Sequence, residues 1–175
     1  MQRWRVPLGF ACAALFFLLA KPQPSTLLVG AFIALPGLAL RAWASGHLRK
    51  NELLATGGPY SYTRNPLYLG SLLIGLGFTI AAGRLVLVLV FLAMLLGIYV
   101  PVMRVESQTL AERFGEEYQV YAEAVPAFLP RVSPFRTLRE SNFDRALYFR
   151  YREYRAALGA AGAWGILILK WLLFG

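Results

Sequence analysis

Leu85-Val86-Leu87-Val88-Leu89-Val90-Phe91-Leu92-Ala93-Met94-Leu95-Leu96-Gly97-Ile98-Tyr99-Val100-Pro101-Val102-Met103 is a run without a single charged side chain. A helix that crosses a bilayer needs roughly 17 to 25 such residues. A strand does not run this long, and a soluble helix would show a polar face every third or fourth position. The run therefore predicts a membrane span, and four further apolar blocks flank it. They are Trp4–Ala20, Thr26–Ala44, Leu67–Ala82 and Ala156–Phe174, separated by polar connections. The first and third are the shortest. The expectation is an all-α integral membrane protein of about five transmembrane helices, forming one domain over residues 1–175.

Composition agrees: 58% of the residues are hydrophobic and the mean hydropathy is +0.53, too apolar for a soluble domain of this size. Arg3 and Arg5 followed by a short apolar run resemble a secretory leader, but no small-residue cleavage site precedes the next block, so the first block reads as a retained helix. Cytoplasmic loops are enriched in Lys and Arg. With the N-terminus inside, only Lys21, Arg84 and Lys170 of the 18 basic residues fall outside, and all nine acidic residues fall inside. A cytoplasmic N-terminus and a cytoplasmic active-site face follow. The net charge of +9 accompanies no nucleic-acid motif, so it points to orientation and anionic-lipid contact and not to nucleic acid. The lone Cys12 lies in the first block and reads as packing, and the lone His47 reads as a loop residue. One Cys and one His exclude a His- or Cys-rich metal site.

The unusual polar residues lie in two inside segments, 41–68 and 104–155, which should meet at the cytoplasmic boundary. The first ends Arg64-Asn65-Pro66-Leu67-Tyr68-Leu69-Gly70. Asn65 suits an N-cap and Pro66 the first helical position. Free backbone N–H groups at that helix start suit a carboxylate, while Gly57 and Gly58 would let backbone approach a ligand. Arg64 and Tyr68 could reach the same bound group, although Arg and Tyr at such a place also serve as headgroup anchors. In the second segment Glu106, Leu110, Arg113 and Glu117 fall on one helical face. Arg113 and Glu117 make an ordinary pair, whereas Glu106 at the bilayer edge calls for a partner or a ligand. The tail 141–155, rich in Tyr and Phe among charges, reads as an interfacial helix.

These residues resemble the isoprenylcysteine carboxyl methyltransferases and their relatives among the membrane phospholipid methyltransferases. That family shows Leu-x-x-x-Gly-Pro-Tyr leading into Arg-His-Pro-x-Tyr-x-Gly, matched by Leu54 through Tyr60 and Arg64 through Gly70. It continues with Glu-Glu-x-x-Leu, Phe-Gly-x-Glu-Tyr and a Pro-rich exit, matched by Glu106–Leu110, Phe114–Tyr118 and Val125–Pro130. The likeness covers about residues 41–131, and several motifs in register make it specific.

The resemblance implies a cytoplasmic-side S-adenosylmethionine pocket with a lateral opening for a lipid-like or prenylated substrate. Carried over position by position, Glu52, Leu53, Leu54, Ala55, Tyr60, Asn65, Pro66, Leu67, Tyr68 and Glu106 contact the cofactor. Glu106 holds its amino end and the helix start receives its carboxylate. Arg64 and Arg104 are the candidates for positioning the acceptor. Asn65 stands where the family has histidine and cannot titrate near neutral pH, and Ser107 replaces the second glutamate. The acceptor is a carboxylate or, as the alternative, the amine of phosphatidylethanolamine. A nicotinamide-dependent membrane reductase competes, but such sequences continue Gly-Glu after the tyrosine where this chain has Leu69-Gly70-Ser71. A non-enzymatic scaffold is the remaining alternative.

Overall fold

The computed structural model describes residues 13–49, 52–136 and 142–174. Among them there are helices and turns but no strand, and the chain is an all-α membrane protein. Residues 13–19 form helix α1, and the remainder of the first apolar block, with Cys12, lies outside the described residues. Helix α2 (Pro24–Ser45) and helix α3 (Pro66–Ala81) make a close hairpin. Helix α4 runs unbroken from Leu85 to Phe114, α-helical to Met94, π-helical over Leu95–Tyr99 and α-helical again from Val100. Short helices α5 (Glu116–Ala124) and α6 (Arg145–Arg150) precede the last helix, α7 (Tyr154–Phe174).

Among the described residues three helices, α2, α4 and α7, are long and apolar enough to cross a membrane. The predicted third span, α3, has 16 residues, about 24 Å at 1.5 Å per residue, and so falls short of a hydrocarbon core of about 30 Å. It is held against α2 instead. A Cβ on Gly37 would stand 2.7 Å from the Gly70 carbonyl oxygen, and one on Gly77 would stand 2.5 Å from that of Gly30. Only glycine lets the two backbones approach so closely, which is how small residues join helices in lipid, where the hydrophobic effect offers no drive. The glycines Gly70, Gly75 and Gly77 thus meet Arg41, the Phe91 ring and the Gly30 carbonyl, and leave no open groove for a lipid chain along α3.

The far end of the bundle closes on Ala20, Leu27, Ala81, Ala82, Leu87 and Leu167, with Trp164 edge-on to Phe78 at 4.8 Å. Lys170 Nζ donates to the Leu18 carbonyl at 2.9 Å, Arg84 Nε to that of Leu19 at 3.4 Å, and the Lys21 amide to that of Ala82 at 2.8 Å. The basic residues assigned to the outer side by sequence therefore gather at one end. Helix α4 is packed far less: Leu87 is the buried residue of its Leu85–Met94 stretch, and most of its other apolar side chains are exposed, as suits a helix whose surroundings are acyl chains.

Candidate functional site

At the other end, the connection between α2 and α3 is stitched to the Pro-rich exit after α5. The Arg64 amide donates to the Pro126 carbonyl, the Arg131 amide to that of Tyr62, and the Phe135 amide to that of Ser61, each at 2.9 Å. Thr63 Oγ1 donates to the Phe128 carbonyl at 3.0 Å and Tyr121 OH to that of Tyr60 at 2.7 Å. Asn65 stands at the start of α3 as the sequence predicts, but its side chain does not cap the helix: Nδ2 donates to the Ala127 carbonyl at 2.7 Å. The amide at the family's histidine position is a brace. Beneath this lattice Leu54, Tyr118, Tyr121 and Val125 form a second apolar core.

The stitched loop, the start of α3 and the lower half of α4 enclose a cavity of about 870 Å³. That is at the upper end for small-molecule sites, which run from about 300 to 1,000 Å³. Leu53, Leu54, Ala55, Tyr60, Arg64, Asn65, Pro66, Leu67, Tyr68 and Glu106 all line it. Glu52 and Arg104, the other two candidates, are exposed and do not. The sequence reading passed over several lining residues. Arg41 comes from α2, Ser71 from α3, Tyr99 and Arg113 from α4, and Tyr118 from α5. Tyr118 lies inside a quoted motif and could have been drawn from it; Arg41 and Tyr99 carried no local signal.

Two buried polar atoms on the lining have no partner: Tyr60 OH and Arg64 Nε. An unpaired buried donor costs about 1 to 3 kcal/mol, so the pair is where a ligand acceptor would be most favourable. Burial pushes the Tyr60 pKa up, with Tyr121 and Glu106 adding to the shift, so its hydroxyl keeps its proton and remains a donor. Arg64 is fixed from the other side: Nη1 donates to Tyr118 OH at 3.1 Å, the guanidinium lies 6.0 Å from that ring, and Ser107 Oγ bonds Tyr118 OH at 2.6 Å. Serine at 107 supplies a hydroxyl to this chain where a second glutamate would bring a negative charge.

Glu106 faces a different kind of neighbour. Its Oε2 accepts from Tyr68 OH at 2.8 Å, and the Tyr68 ring meets Tyr99 edge-on at 5.8 Å. A carboxylate beside two aromatic rings suits a cation. The lining thus combines donors that suit a carboxylate with a carboxylate and aromatic faces that suit a positive group.

Other sequence expectations change. The face through Glu106, Leu110, Arg113 and Glu117 stops at Arg113, because the chain turns at Gly115 with φ 52° before α5 begins. His47 is buried, its Nδ1 2.9 Å from the Trp43 carbonyl, and its ring fills the space a Cβ on Gly58 would need. Gly58 therefore makes room for His47 and not for a ligand. The tail is no single interfacial helix: α6 is six residues long, capped by Asp144 accepting from the Ala146 amide at 2.8 Å, and a turn at Arg152 separates it from α7.

The chain is 35% identical over 157 residues to the cobalt-zinc-cadmium resistance protein CzcN of Cupriavidus metallidurans, covering 81% of this chain and 71% of that one. It is 39% identical over 106 residues to the nickel-cobalt-cadmium resistance protein NccN of Alcaligenes xylosoxydans xylosoxydans, and 32% identical over 83 residues to the protein-S-isoprenylcysteine O-methyltransferase of Schizosaccharomyces pombe. Those matches span 55% and 47% of this chain and only 46% and 35% of the relatives. No solved structure matches. The phospholipid methyltransferase family matches residues 26–117, the stretch that builds α2, the stitched loop, α3 and nearly all the cavity wall on α4, and to this family of membrane methyltransferases the chain belongs.

Proposed function

We propose that the cavity binds S-adenosylmethionine and that the protein methylates the carboxylate of a lipid-like amphiphile at the cytoplasmic face of the membrane. The observation that carries this reading is the pair of unpartnered buried donors, Tyr60 OH and Arg64 Nε, in the same cavity as Glu106. The cofactor is a zwitterion with a sulfonium: its carboxylate suits Tyr60 and Arg64, and its ammonium suits Glu106 beside Tyr68 and Tyr99. When bound, it supplies a methyl group activated for in-line displacement, a chemistry that needs no covalent nucleophile on the protein. What the chain's own residues do is position both partners and exclude water.

The choice of a carboxylate follows from charge. Arg41, Arg64 and Arg113 line the cavity, and Glu106 is the only carboxylate among its lining residues. An anionic acceptor is already nucleophilic, whereas an ammonium must first lose a proton to a base. Glu106 is bonded to Tyr68 and committed to the cofactor in this reading, so amine methylation lacks its base. The sidedness rests on Lys21, Arg84 and Lys170 collecting at the end remote from the cavity.

Calorimetric titration of the reconstituted protein with S-adenosylmethionine, S-adenosylhomocysteine and NADPH tests the cofactor. Binding of the first two and not the third is expected. NADPH binding alone would make the protein a reductase, and no binding of any would leave a scaffold.

A further inference from the structure

Arg41 enters the reading above only as a charge on the cavity wall, but that charge is already paired with Glu153. Arg41 lies in the last turns of α2 yet lines the cavity, because α3 has a glycine where the arginine stem crosses it: a Cβ on Gly70 would stand 2.6 Å from Arg41 Cγ. Past Gly70 the guanidinium is held on one edge by α3, with Nη1 2.5 Å from Ser71 Oγ and 3.4 Å from the Leu67 carbonyl. Its other nitrogen, Nη2, meets both carboxylate oxygens of Glu153, with Oε2 at 2.9 Å. Glu153 comes from the turn between α6 and α7, and its side chain is 10% exposed. The preceding residue, Arg152, has φ 55°, a conformation costly for a non-glycine residue and retained only where surrounding contacts impose it. Helix α2, helix α3 and the α6–α7 turn thus converge to place one carboxylate on one arginine of the cavity wall.

Arg41 shares the cavity lining with the unpartnered Tyr60 hydroxyl and with Glu106, so the three border the space into which an acceptor would bring its reacting end. A buried ion pair gains little stability, since desolvating two charges offsets most of their attraction, so stability alone does not account for it.

We propose that Arg41 is the acceptor-binding residue and that Glu153 occupies its place as an internal stand-in: an anionic headgroup of an amphiphile, carboxylate or phosphate, takes the Nη2 edge by displacing Glu153. The α6–α7 turn then opens only for a ligand that can replace its charge, which admits anionic amphiphiles and rejects cationic ones. The assignment rests on the acceptor sharing the cavity described above, but not on the identity of the cofactor.

The test is equilibrium binding to the full-length protein in neutral-lipid nanodiscs, without any cofactor. The probes are N-acetyl-S-farnesylcysteine as a carboxylate amphiphile, dodecyl phosphate as a phosphate amphiphile, dodecyltrimethylammonium as the cationic control, and acetate and inorganic phosphate as soluble anions. Wild type binds the anionic amphiphiles and not the cationic one. Glu153→Gln removes the competitor and tightens anionic-amphiphile binding by roughly tenfold, the scale of one charge-assisted contact. Arg41→Gln combined with Glu153→Gln, which leaves no unpaired buried charge, abolishes the preference for anions. Thermal melting of each variant confirms the fold. Preference for farnesylcysteine over dodecyl phosphate assigns a carboxylate headgroup, and the reverse a phosphate; binding of the soluble anions alone would refute an amphiphile. Unchanged or weaker anion binding in folded Glu153→Gln overturns the proposal, whatever S-adenosylmethionine titration shows. Absence of S-adenosylmethionine binding with the anion response intact would instead refute the methyltransferase reading and leave this one standing.

Discussion

Replacing Glu106 by glutamine removes one negative charge from the cavity while keeping an oxygen that can accept from Tyr68 OH, now 2.8 Å from Oε2. The fold should survive, because Glu106 is exposed and makes no buried ion pair. The loss falls on whatever cation the carboxylate holds. A charge-assisted hydrogen bond contributes about 1.5 to 3 kcal/mol, and exposure to solvent puts Glu106 at the low end of that range. About 1.4 kcal/mol corresponds to tenfold in affinity, so S-adenosylmethionine should bind about tenfold more weakly to Glu106→Gln. S-adenosylhomocysteine carries the same amino end and should weaken equally, which separates a contact to the ammonium from one to the sulfonium. Isothermal titration in nanodiscs at low and high salt measures both, and the difference between wild type and variant should shrink as salt screens the charge. An unchanged dissociation constant in a variant that melts like wild type would remove Glu106 from the site.

Three further outcomes follow from named contacts. Tyr60→Phe removes a buried unpaired hydroxyl, so the ligand-free protein should melt higher while S-adenosylmethionine binds more weakly; calorimetry and thermal scans read the two opposite signs. Burial also raises the pKa of Tyr60 and of Tyr121, so the folded chain keeps protons that the unfolded chain releases near pH 10, and melting temperatures should fall as pH rises above about 10. Gly77→Val should abolish monodisperse folded protein on size exclusion, since its Cβ would press on the Gly30 carbonyl, whereas Gly159→Ala, with open space around it, should be silent.

The membrane class was legible because it depends on one-dimensional quantities: block length, hydropathy and the distribution of Lys and Arg. So was most of the cavity, through motifs in register. What escaped has a physical reason in each case. Arg41 reaches the site only because Gly70, on another helix, lets its stem pass, and no local pattern around Arg41 encodes that crossing. The span assigned to Leu67–Ala82 is apolar enough but short, and only the backbone contacts of Gly37 and Gly77 show that α2 supports it. Asn65 carries a capping residue's identity, yet the Ala127 carbonyl, far off in sequence, takes its amide proton. Glu52 and Arg104 come from register with a family, and register does not say which way a side chain faces; both are exposed and lie off the cavity lining.

Helix α4 shows how a span and a site are joined in one element. At 30 residues it is about 45 Å long, so about 15 Å extends beyond a hydrocarbon core of about 30 Å. The cavity-lining positions Tyr99, Val102, Glu106, Leu110 and Arg113 recur every three or four residues, a single helical face. That face begins at the π-turn, where the Val100 amide reaches back five residues to the Leu95 carbonyl, immediately before Pro101. The placement has a cause. Pro101 has no N–H to offer the carbonyl of Gly97 and its ring would crowd that carbonyl in a regular α-helix; the wider turn relieves the clash. A π-turn adds one residue to the helix, and one residue is a rotation of about 100°. The lipid-facing half and the cavity-facing half of α4 can therefore follow different azimuths, one set by acyl chains and the other by Tyr68. Without the extra residue the whole lining face, Glu106 included, would turn away from Tyr68 by about that angle. The placement of Glu106 in the site thus depends on a backbone irregularity near the boundary between membrane and cavity.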